Sequence, residues 1–283
     1  MRPSRTKKQP VGYHSAMTPK PSRHAKRAIP PAQDDHVRIV PLFIPRELLA
    51  PAPGIIAPAG AELTYRGGPL ITAVQVFSVF WGQAWNASAQ QSVITTLNDF
   101  FRFIVASAYV DQLGEYNTPE FTIGRGRLAG TATVTSPEPG SNVTDTQIRQ
   151  MLQGQLSGKT TFPPAGPNML YFVFLPSGVS VVAGGDRSCQ AFCGYHDHIN
   201  SKIFYAVVPY PNCAGCLGGI APLDALTSIS SHELAEAITD PIPPQGWYDD
   251  NQGEIGDICA WQNKKLDRYV VQRLWSNRAK ACV

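Results

Sequence analysis

Proline and glycine occur along the whole chain and divide it into short segments. The 283 residues include 25 prolines and 24 glycines. Proline fixes φ and removes a backbone donor, so it ends helices and is excluded from central strands. Hydrophobic residues make up 43% of the chain, which is enough for a buried core. This pattern predicts a globular protein rich in strands and loops, and it argues against a helical bundle or a coiled coil.

Charge is distributed unevenly. Residues 1–33 contain eight Lys and Arg and no Asp or Glu, whereas the rest of the chain is net acidic. We expect 1–33 to be a disordered basic tail, because a polar segment with an excess of one charge cannot form a core. Such a tail could contact phosphates, but charge runs are usually solvated, and no nucleic-acid partner is expected. The tail also lacks the apolar centre of a secretory signal.

Two further regions follow the tail. Residues 34–68 are predicted to form a proline-rich extended arm whose apolar residues lie across the main domain. Residues 69–283 are predicted to form a single domain. No stretch reaches the roughly 18 uninterrupted apolar residues that a membrane-spanning helix needs, so no transmembrane segment is predicted.

Hydrophobic periodicity predicts the elements of this domain. β-branched and aromatic runs predict buried strands, and apolar residues three and four apart predict helices. The expected order is a strand at 70–81, a helix at 86–109, a strand or hairpin at 121–135, a helix at 145–156, strands at 168–182 and 202–209, a helix at 222–240 and short strands after 245. The fold class is therefore α+β.

Six cysteines lie in the last third of the chain. Two close pairs could form half of a zinc ribbon, but their spacing is irregular and no nucleic-acid-binding surface accompanies them. Three disulfides are the preferred interpretation, and they favour secretion or the cell envelope. The simplest of the 15 possible pairings is Cys189–Cys193, Cys213–Cys216 and Cys259–Cys282.

The sequence Ser-His-Glu-Leu-Ala-Glu at 231–236 carries the clearest chemical signal. His232 and Glu236 are one helical turn apart, so both can bind the same Zn²⁺ ion. Glu233 would then be the general base that activates a metal-bound water. Glu233 also falls within the apolar arc of the helix, where a carboxylate is costly unless it faces a polar site. The alternative is an ordinary surface pair at i,i+4.

An acidic stretch follows this helix and can supply a third ligand. Glu254 is the preferred candidate. Asp257 could orient His232 from outside the ligand set or exchange roles with Glu254, and Asp240 is a weaker candidate. The same stretch could instead bind a structural Ca²⁺ through oxygen ligands; these would be Asp249, Asp250, Asn251, Glu254 and Asp257.

His196 and His198 form a second cluster. Residues at i and i+2 of a strand project to the same side, so both histidines could bind a metal or a substrate. The alternative is a polar loop with solvated histidines. If this segment were an edge strand above the helix, a peptide substrate could add to it as a further strand.

The motifs SHELAEAITDP and GWYDDNQGEIGDIC, with YRGGPLITAVQVFSVFWG, CGYHDH and PNCAGC, resemble the phosphate-induced protein 1 family, which includes the EXORDIUM-like cell-wall proteins. The likeness extends over about 65–283 and implies secretion. More distantly, the element order and the HExxE motif resemble zincin metallopeptidases. That likeness implies a mixed sheet over an active-site helix, with His232 and Glu236 as ligands, Glu233 as the base and Glu254 in the downstream ligand position. Glutamate at 236 departs from the zincin histidine and would weaken the Lewis acidity of the metal.

Two functions are consistent with these features. The first is a zinc-dependent hydrolase, specifically a metallopeptidase acting on a peptide or protein. The second is a non-catalytic secreted EXORDIUM-like protein of the cell wall or surface with a structural metal site. A monomer is expected in either case. No G-x-S-x-G motif is present, which argues against a serine-nucleophile hydrolase.

Overall fold

A mixed six-stranded sheet is the centre of the fold. The computed structural model describes residues 38–43, 60–158 and 160–283. In spatial order the strands of the sheet are β1 (Arg38–Pro41), β9 (Phe192–Ile199), β10 (Ile203–Pro209), β6 (Met169–Leu175), β3 (Ala73–Trp81) and β4 (Gly124–Val134). Strands β10, β6, β3 and β4 are parallel, whereas β9 runs antiparallel to β10 and β1 runs antiparallel to β9.

The central strands are apolar along their whole length. All seven residues of β6, MLYFVFL, are buried, as are the last six residues of β3. Parallel strands that are covered on both faces have such continuous apolar sequences, because neither face meets water.

Helices cover both faces of the sheet. The helices are α1 (Ser88–Ile104), α2 (Ala108–Asp111), α3 (Asp145–Ser157), α4 (Ala214–Leu217) and α5 (Pro222–Thr239). Helices α1 and α5 pack on one face with Phe172 and Phe174, and α3 packs on the other with Tyr171 and Val173. Helix α3 begins with a capping box in which Thr144 and Gln147 bond reciprocally.

The remaining strands are short and pair in small sheets. They are β2 (Thr64–Tyr65), β5 (Asn142–Thr144), β7 (Ser180–Ala183), β8 (Asp186–Arg187), β11 (Trp247–Tyr248), β12 (Asn263–Leu266), β13 (Tyr269–Gln272), β14 (Trp275–Ser276) and β15 (Ala281–Cys282). Strand β2 pairs with β11, and β12 forms a hairpin with β13. This hairpin packs against α5, so α5 lies between the hairpin and the sheet.

The α+β class is confirmed, and several predicted boundaries need correction. The predicted strand or hairpin at 121–135 is the single strand β4, and the predicted helix at 86–109 ends at Ile104. The predicted strand at 168–182 is interrupted after Leu175 by Pro176, and β7 begins only at Ser180. The segment 193–198, placed between strands in the prediction, lies within β9.

The predicted tail and much of the predicted arm lie outside the described residues. The part of the arm at 38–43 contributes β1 and is attached to the domain. Val40 is buried, the Trp261 Nε1–H donates to the carbonyl of Pro41, and the Phe43 amide donates to the carbonyl of Gly215.

All six cysteines form disulfides, which confirms that prediction, but two predicted pairs are wrong. The bonds are Cys189–Cys213, Cys193–Cys216 and Cys259–Cys282. Cys193 lies in a strand, where the chain advances about 3.3 Å per residue, so its partner comes from a neighbouring segment rather than from the same one. Two bonds therefore join β9 and the turn before it to α4. Three disulfides indicate an oxidising, extracellular environment.

No single described helix is both long and apolar enough to cross a membrane. Helix α1 and the following residues Ala108–Tyr116 meet the length and composition criteria only as a pair bent by 48°. The apolar side chains of this pair belong to the core; they include Leu97, Phe100, Phe101, Ile104 and Leu113.

Candidate metal centre

Helix α5 is a central helix rather than a surface helix. Every residue from Ala225 to Thr239 is buried, including His232, Glu233 and Glu236, each 0% exposed. Pro222 occupies the first turn, where its missing N–H is not needed. The alternative of an exposed i,i+4 ion pair is therefore excluded. Three ionisable side chains in a fully buried helix require compensation from other polar groups or from a cation.

Hydroxyl groups attach α5 to the β12–β13 hairpin. Thr227 donates to the carbonyl of Val270 at 2.8 Å, and Ser228 donates to the side-chain oxygen of Asn263 at 2.7 Å. Ser231 Oγ accepts the Gln272 amide at 2.9 Å. These bonds fix the rotation of α5 relative to the hairpin, and this rotation determines which way the side chains of 232–236 point.

His232, Glu236 and Asp257 form the first ligand group. His232 Nε2 lies 2.8 Å from Glu236 Oε1 and 3.7 Å from Asp257 Oδ1. One potential ligand atom from each of the three residues lies within 4.8 Å of the others. Ligand atoms of a tetrahedral zinc site are about 3.3 Å apart, given metal–ligand bonds of about 2.0–2.1 Å. The spacing therefore fits a single cation.

Gln272 fixes the orientation of His232. Its side-chain oxygen accepts the Trp261 amide at 3.0 Å, and its side-chain nitrogen donates to the carbonyl of Gly256 at 2.8 Å. These two bonds define which amide atom is the oxygen, so His232 Nδ1 donates to Gln272 Oε1 at 3.1 Å. His232 Nε2 is then left as the potential ligand atom, as in metal sites where an outer partner fixes the histidine tautomer.

His196, Glu233 and Glu236 form a second group. His196 extends from β9 towards α5, and its Nδ1 lies 3.2 Å from Glu233 Oε2 and 3.6 Å from Glu236 Oε2. His196 Nε2 donates to the backbone carbonyl of Asp240 at 3.1 Å and lies 3.5 Å from Glu254 Oε1. His196 is thus a buried member of the cluster, 1% exposed.

The acidic loop contributes both of its predicted residues, in positions that differ from expectation. Glu254, the preferred third ligand, lies next to His196. Asp257 takes the place beside His232 and Glu236, while the orienting role proposed for Asp257 belongs to Gln272. Which acid binds a metal stays a prediction.

Asp240 holds the turn after α5. It is the C-terminal cap of the helix, and its Oδ1 accepts the Gly246 amide at 2.7 Å.

Two close approaches shape the loop. Gly253 has φ of +87°, and a Cβ there would lie 2.2 Å from Asp257 Oδ2. A Cβ on Gly256 would lie 2.8 Å from Glu236 Oε1 and from the His232 ring. The Asp257 amide donates to Glu236 Oε1 at 3.1 Å. Glycine at 256 therefore lets the loop backbone reach the helix, and glycine at 253 lets the loop turn back onto Asp257.

The five residues of the calcium interpretation do not converge. Asp249 accepts backbone amides from Glu62 and Asn251, and the side chain of Asp250 is 82% exposed and pairs with Arg66. Glu254 is fully buried on the helix side.

The protonation of the metal-free cluster follows from its burial. Burial raises the pKa of Glu233 to about 7, and burial with the charge of Glu236 raises the pKa of Asp257 to about 7. Burial also raises the pKa of Glu254 well above its usual range. For His232, burial lowers the pKa, but the charge of Glu236 outweighs it, so the pKa is about 10. At neutral pH the cluster holds protons that a cation must displace.

His198 is not part of the cluster. It lies further along β9, and its Nδ1 accepts the Ser201 amide at 3.0 Å. The segment is not a free edge strand, so the condition for a substrate strand to add to it is not met: β1 already pairs with it, with Arg38 opposite His196 and Val40 opposite Gly194. The edge position is therefore occupied by the chain itself.

Sequence reasoning missed three contributors to the site. These are Gln272, the close approach at Gly256, and Tyr109, whose hydroxyl lies 3.1 Å from the carbonyl oxygens of both Ser231 and Gln272 and shares its proton between them. A polar residue ending the apolar run YVVQ was the available signal for Gln272. Tyr109 gave none, because an aromatic residue near a helix end fits the core equally well.

Fold and site together define an α+β protein with three disulfides and a buried cluster of histidines and carboxylates between its central helix, strand β9 and the acidic loop. No known protein-family profile matches the chain. The chain is similar to the protein EXORDIUM-like 5 of Arabidopsis thaliana, with 22% identity over 293 residues that cover 78% of this chain and 77% of the plant protein. This similarity supports the EXORDIUM-like resemblance.

Proposed function

We propose that this chain is an exported zinc-dependent hydrolase of zincin type that acts on peptide bonds. The first cation position is formed by His232 Nε2, Glu236 Oε1 and Asp257 Oδ1. A mixed sheet beside the HExxE helix and a downstream acid support the zincin resemblance. The three disulfides and the similarity to EXORDIUM-like 5 support export.

One observation carries the proposal. His232 Nε2 and Glu236 Oε1 are fully buried and lie 2.8 Å apart, and Asp257 Oδ1 lies 3.7 Å from the same nitrogen. The proton on His232 Nδ1 is given to Gln272. In the metal-free protein a proton lies between Nε2 and Glu236, because the charge of Glu236 raises the pKa of His232 to about 10, and a divalent cation can take the place of this proton. A nitrogen and two carboxylate oxygens are suitable donors for Zn²⁺.

Glu233 supplies the acid–base group. When bound, a zinc ion provides Lewis acidity and lowers the pKa of a water ligand. Glu233 Oε1 is buried without a hydrogen-bond partner among the described residues, and the pKa of about 7 produced by burial is near that of an efficient base at neutral pH. Glu233 accepts a proton at Oε1 and later donates it to the leaving amine.

The test measures metal and activity on the same preparations. Purified full-length protein, loaded with Zn²⁺, is expected to hydrolyse a fluorogenic peptide library, and Glu233→Gln is expected to reduce the rate at least about 100-fold while retaining the cation at His232. His198→Ala serves as the control, because it removes a histidine that lies outside the cluster. A protein without bound metal, or a Glu233→Gln variant of full activity, would contradict the proposal.

A second candidate function is favoured by the burial of the site. Asp257, with a side chain 20% exposed, is the most accessible residue of the cluster, and His232, Glu233 and Glu236 are 0% exposed. A cation in such a site can serve to hold α5 to the acidic loop of a cell-surface protein. In that case Glu233→Gln leaves binding at the cell surface intact, and His232→Ala lowers the unfolding temperature of the protein.

A further inference from the structure

We propose that the centre has a second divalent-cation position, formed by His196 Nδ1, Glu233 Oε2 and Glu236 Oε2, so that Glu236 bridges two cations. This inference rests on the proposed metal site at His232. The three ligand atoms of the second position also lie within 4.8 Å of one another.

The orientation of Glu236 is the first argument. Its two oxygens face two different histidines, with Oε1 2.8 Å from His232 Nε2 and Oε2 3.6 Å from His196 Nδ1. Glu236 Oε2 has no hydrogen-bond partner among the described residues. A carboxylate in this orientation is a bridging ligand, and bridged catalytic cations are about 3.5–4 Å apart.

The tautomer of His196 is the second argument. A backbone carbonyl can only accept, so the contact between His196 Nε2 and the carbonyl of Asp240 places the ring proton on Nε2. His196 Nδ1 is then the nitrogen that faces Glu233 and Glu236, and it offers a lone pair to a cation once the proton it shares with these carboxylates is displaced. As at His232, an outer acceptor directs the other nitrogen to the ligand position.

Charge is the third argument. Glu233, Glu236, Glu254 and Asp257 are four carboxylates in a cluster that is almost entirely buried, and none of them forms an ion pair with a Lys or Arg of the described residues. In the metal-free protein, protons shared among the carboxylates and imidazoles offset this charge, and cations that bind must displace them. A second divalent cation can replace the protons that a single cation leaves in place.

The donor set indicates the class of cation. Each position offers one imidazole nitrogen and carboxylate oxygens, which suit zinc and similar divalent transition metals rather than Ca²⁺, whose ligands are oxygens. A cation in the second position occupies Glu233 Oε2 and competes with the role of Glu233 as a base. Filling of the second position is therefore expected to reduce hydrolysis that the first position supports.

The test counts the cations that the full-length protein binds. The protein is first stripped of metal with a chelator and then titrated with Zn²⁺ by calorimetry. After gel filtration, elemental analysis gives the number of bound cations per chain. We expect His196→Ala to bind one Zn²⁺ fewer than the wild type, and His198→Ala to bind the same number as the wild type. The comparison is between variants, because His14, His24 and His36 can add the same adventitious sites to all of them. Equal counts in His196→Ala and the wild type would overturn the inference.

Two further measurements keep the outcome clear. Glu233→Gln is expected to lose the second Zn²⁺ and keep the first. This variant replaces His196→Ala in the comparison if His196→Ala does not fold. X-ray absorption of the loaded wild type is expected to show a zinc–zinc distance of about 3.5–4 Å, and a spectrum without it would contradict the bridge. Loss of all specific binding in the wild type would end the proposed function itself, whereas one cation that depends on His232 but not on His196 would end only this inference.

Discussion

The two faces of strand β9 carry polar clusters of opposite character. On the face towards α3, Asp145 accepts the hydroxyls of Tyr195 and Tyr205 at 2.7 and 2.6 Å, and Arg149 pairs with both Asp145 and Asp197. On the face towards α5, the carboxylates have no Lys or Arg partner among the described residues and face the imidazoles of His196 and His232. Neighbouring residues of one strand thus enter a cluster whose charge is paired with an arginine and a cluster whose charge is offset by protons that a metal ion can replace.

A buried polar cluster is expected to bind a ligand where its charged groups lack partners within the protein. A carboxylate that accepts several hydrogen bonds and an ion pair is satisfied, and it fixes the packing of the elements that carry it. Carboxylates that lack partners raise the free energy of the folded state until a proton or cation is bound. The α3 cluster is therefore structural, and the α5 cluster is the expected binding site.

Chelation should separate the two clusters most strongly. Removal of Zn²⁺ from the wild type is expected to lower the free energy of unfolding by about 4 kcal/mol relative to protein at a free Zn²⁺ concentration of about 1,000 Kd. For a chain of this size that corresponds to a fall in Tm of about 8–16 °C. Calorimetry with and without a chelator measures it. Asp145→Asn is the control and should show the same metal-dependent shift, and an unchanged Tm on chelation would remove the distinction.

Neutralising one acid in each cluster should have effects of opposite sign in metal-free protein. Asp145→Asn is expected to cost about 2 kcal/mol, less than for a fully buried pair because Arg149 is partly exposed and keeps Asp197. Glu254→Gln is expected to stabilise at pH 7, because burial raises the pKa of Glu254 and folding then requires this side chain to take up a proton, which the neutral amide does not need. Urea unfolding measures both, and destabilisation by Glu254→Gln would contradict the charge argument.

The stability of metal-free protein should fall as pH rises from 5.5 to 7. Glu233 has a pKa of about 7 when folded, against 4.5 for the free side chain, so in this interval the folded state binds more protons than the unfolded state. Its contribution is present below pH 4.5 and is lost as pH rises to about 7; the expected loss over this interval is about 2 kcal/mol. Urea unfolding at several pH values measures the slope, which Glu233→Gln should reduce. An equal slope in that variant would show that other groups cause it.

Gln272 should give the smallest effect, confined to the α5 side. Gln272→Ala removes the acceptor of His232 Nδ1, so the imidazole is no longer held in one orientation. We expect an approximately 10-fold loss of Zn²⁺ affinity, the lower end of the range for such outer partners. Competition with a chromophoric chelator measures it. Asn263→Ala, which removes a different contact between the hairpin and α5, is the matched control; an equal loss there would indicate loosening of the hairpin instead.

The sequence named the histidines and acidic residues of the site as candidates, but it determined the arrangement only of those that are close together in the chain. His232 and Glu236 follow from one turn of helix, and so does the burial of Glu233 within the apolar arc. The exchange between Glu254 and Asp257 depends on the turn at Gly253 and the close approach at Gly256, which spacing alone does not determine. The entry of His196 required knowing that 193–198 forms a strand beside α5, and two disulfide pairs required knowing that α4 lies against that strand.

The pairing of β1 with β9 has a consequence for the behaviour of the protein in solution. A sheet edge with free backbone groups is a template for strands of other molecules, and proteins limit this risk with short edge strands and proline. Here the outermost strand is four residues long and ends in Pro41. It covers the part of β9 from Phe192 to His196, so a chain cleaved after Phe43 would be expected to self-associate through the exposed edge even with its cation cluster intact.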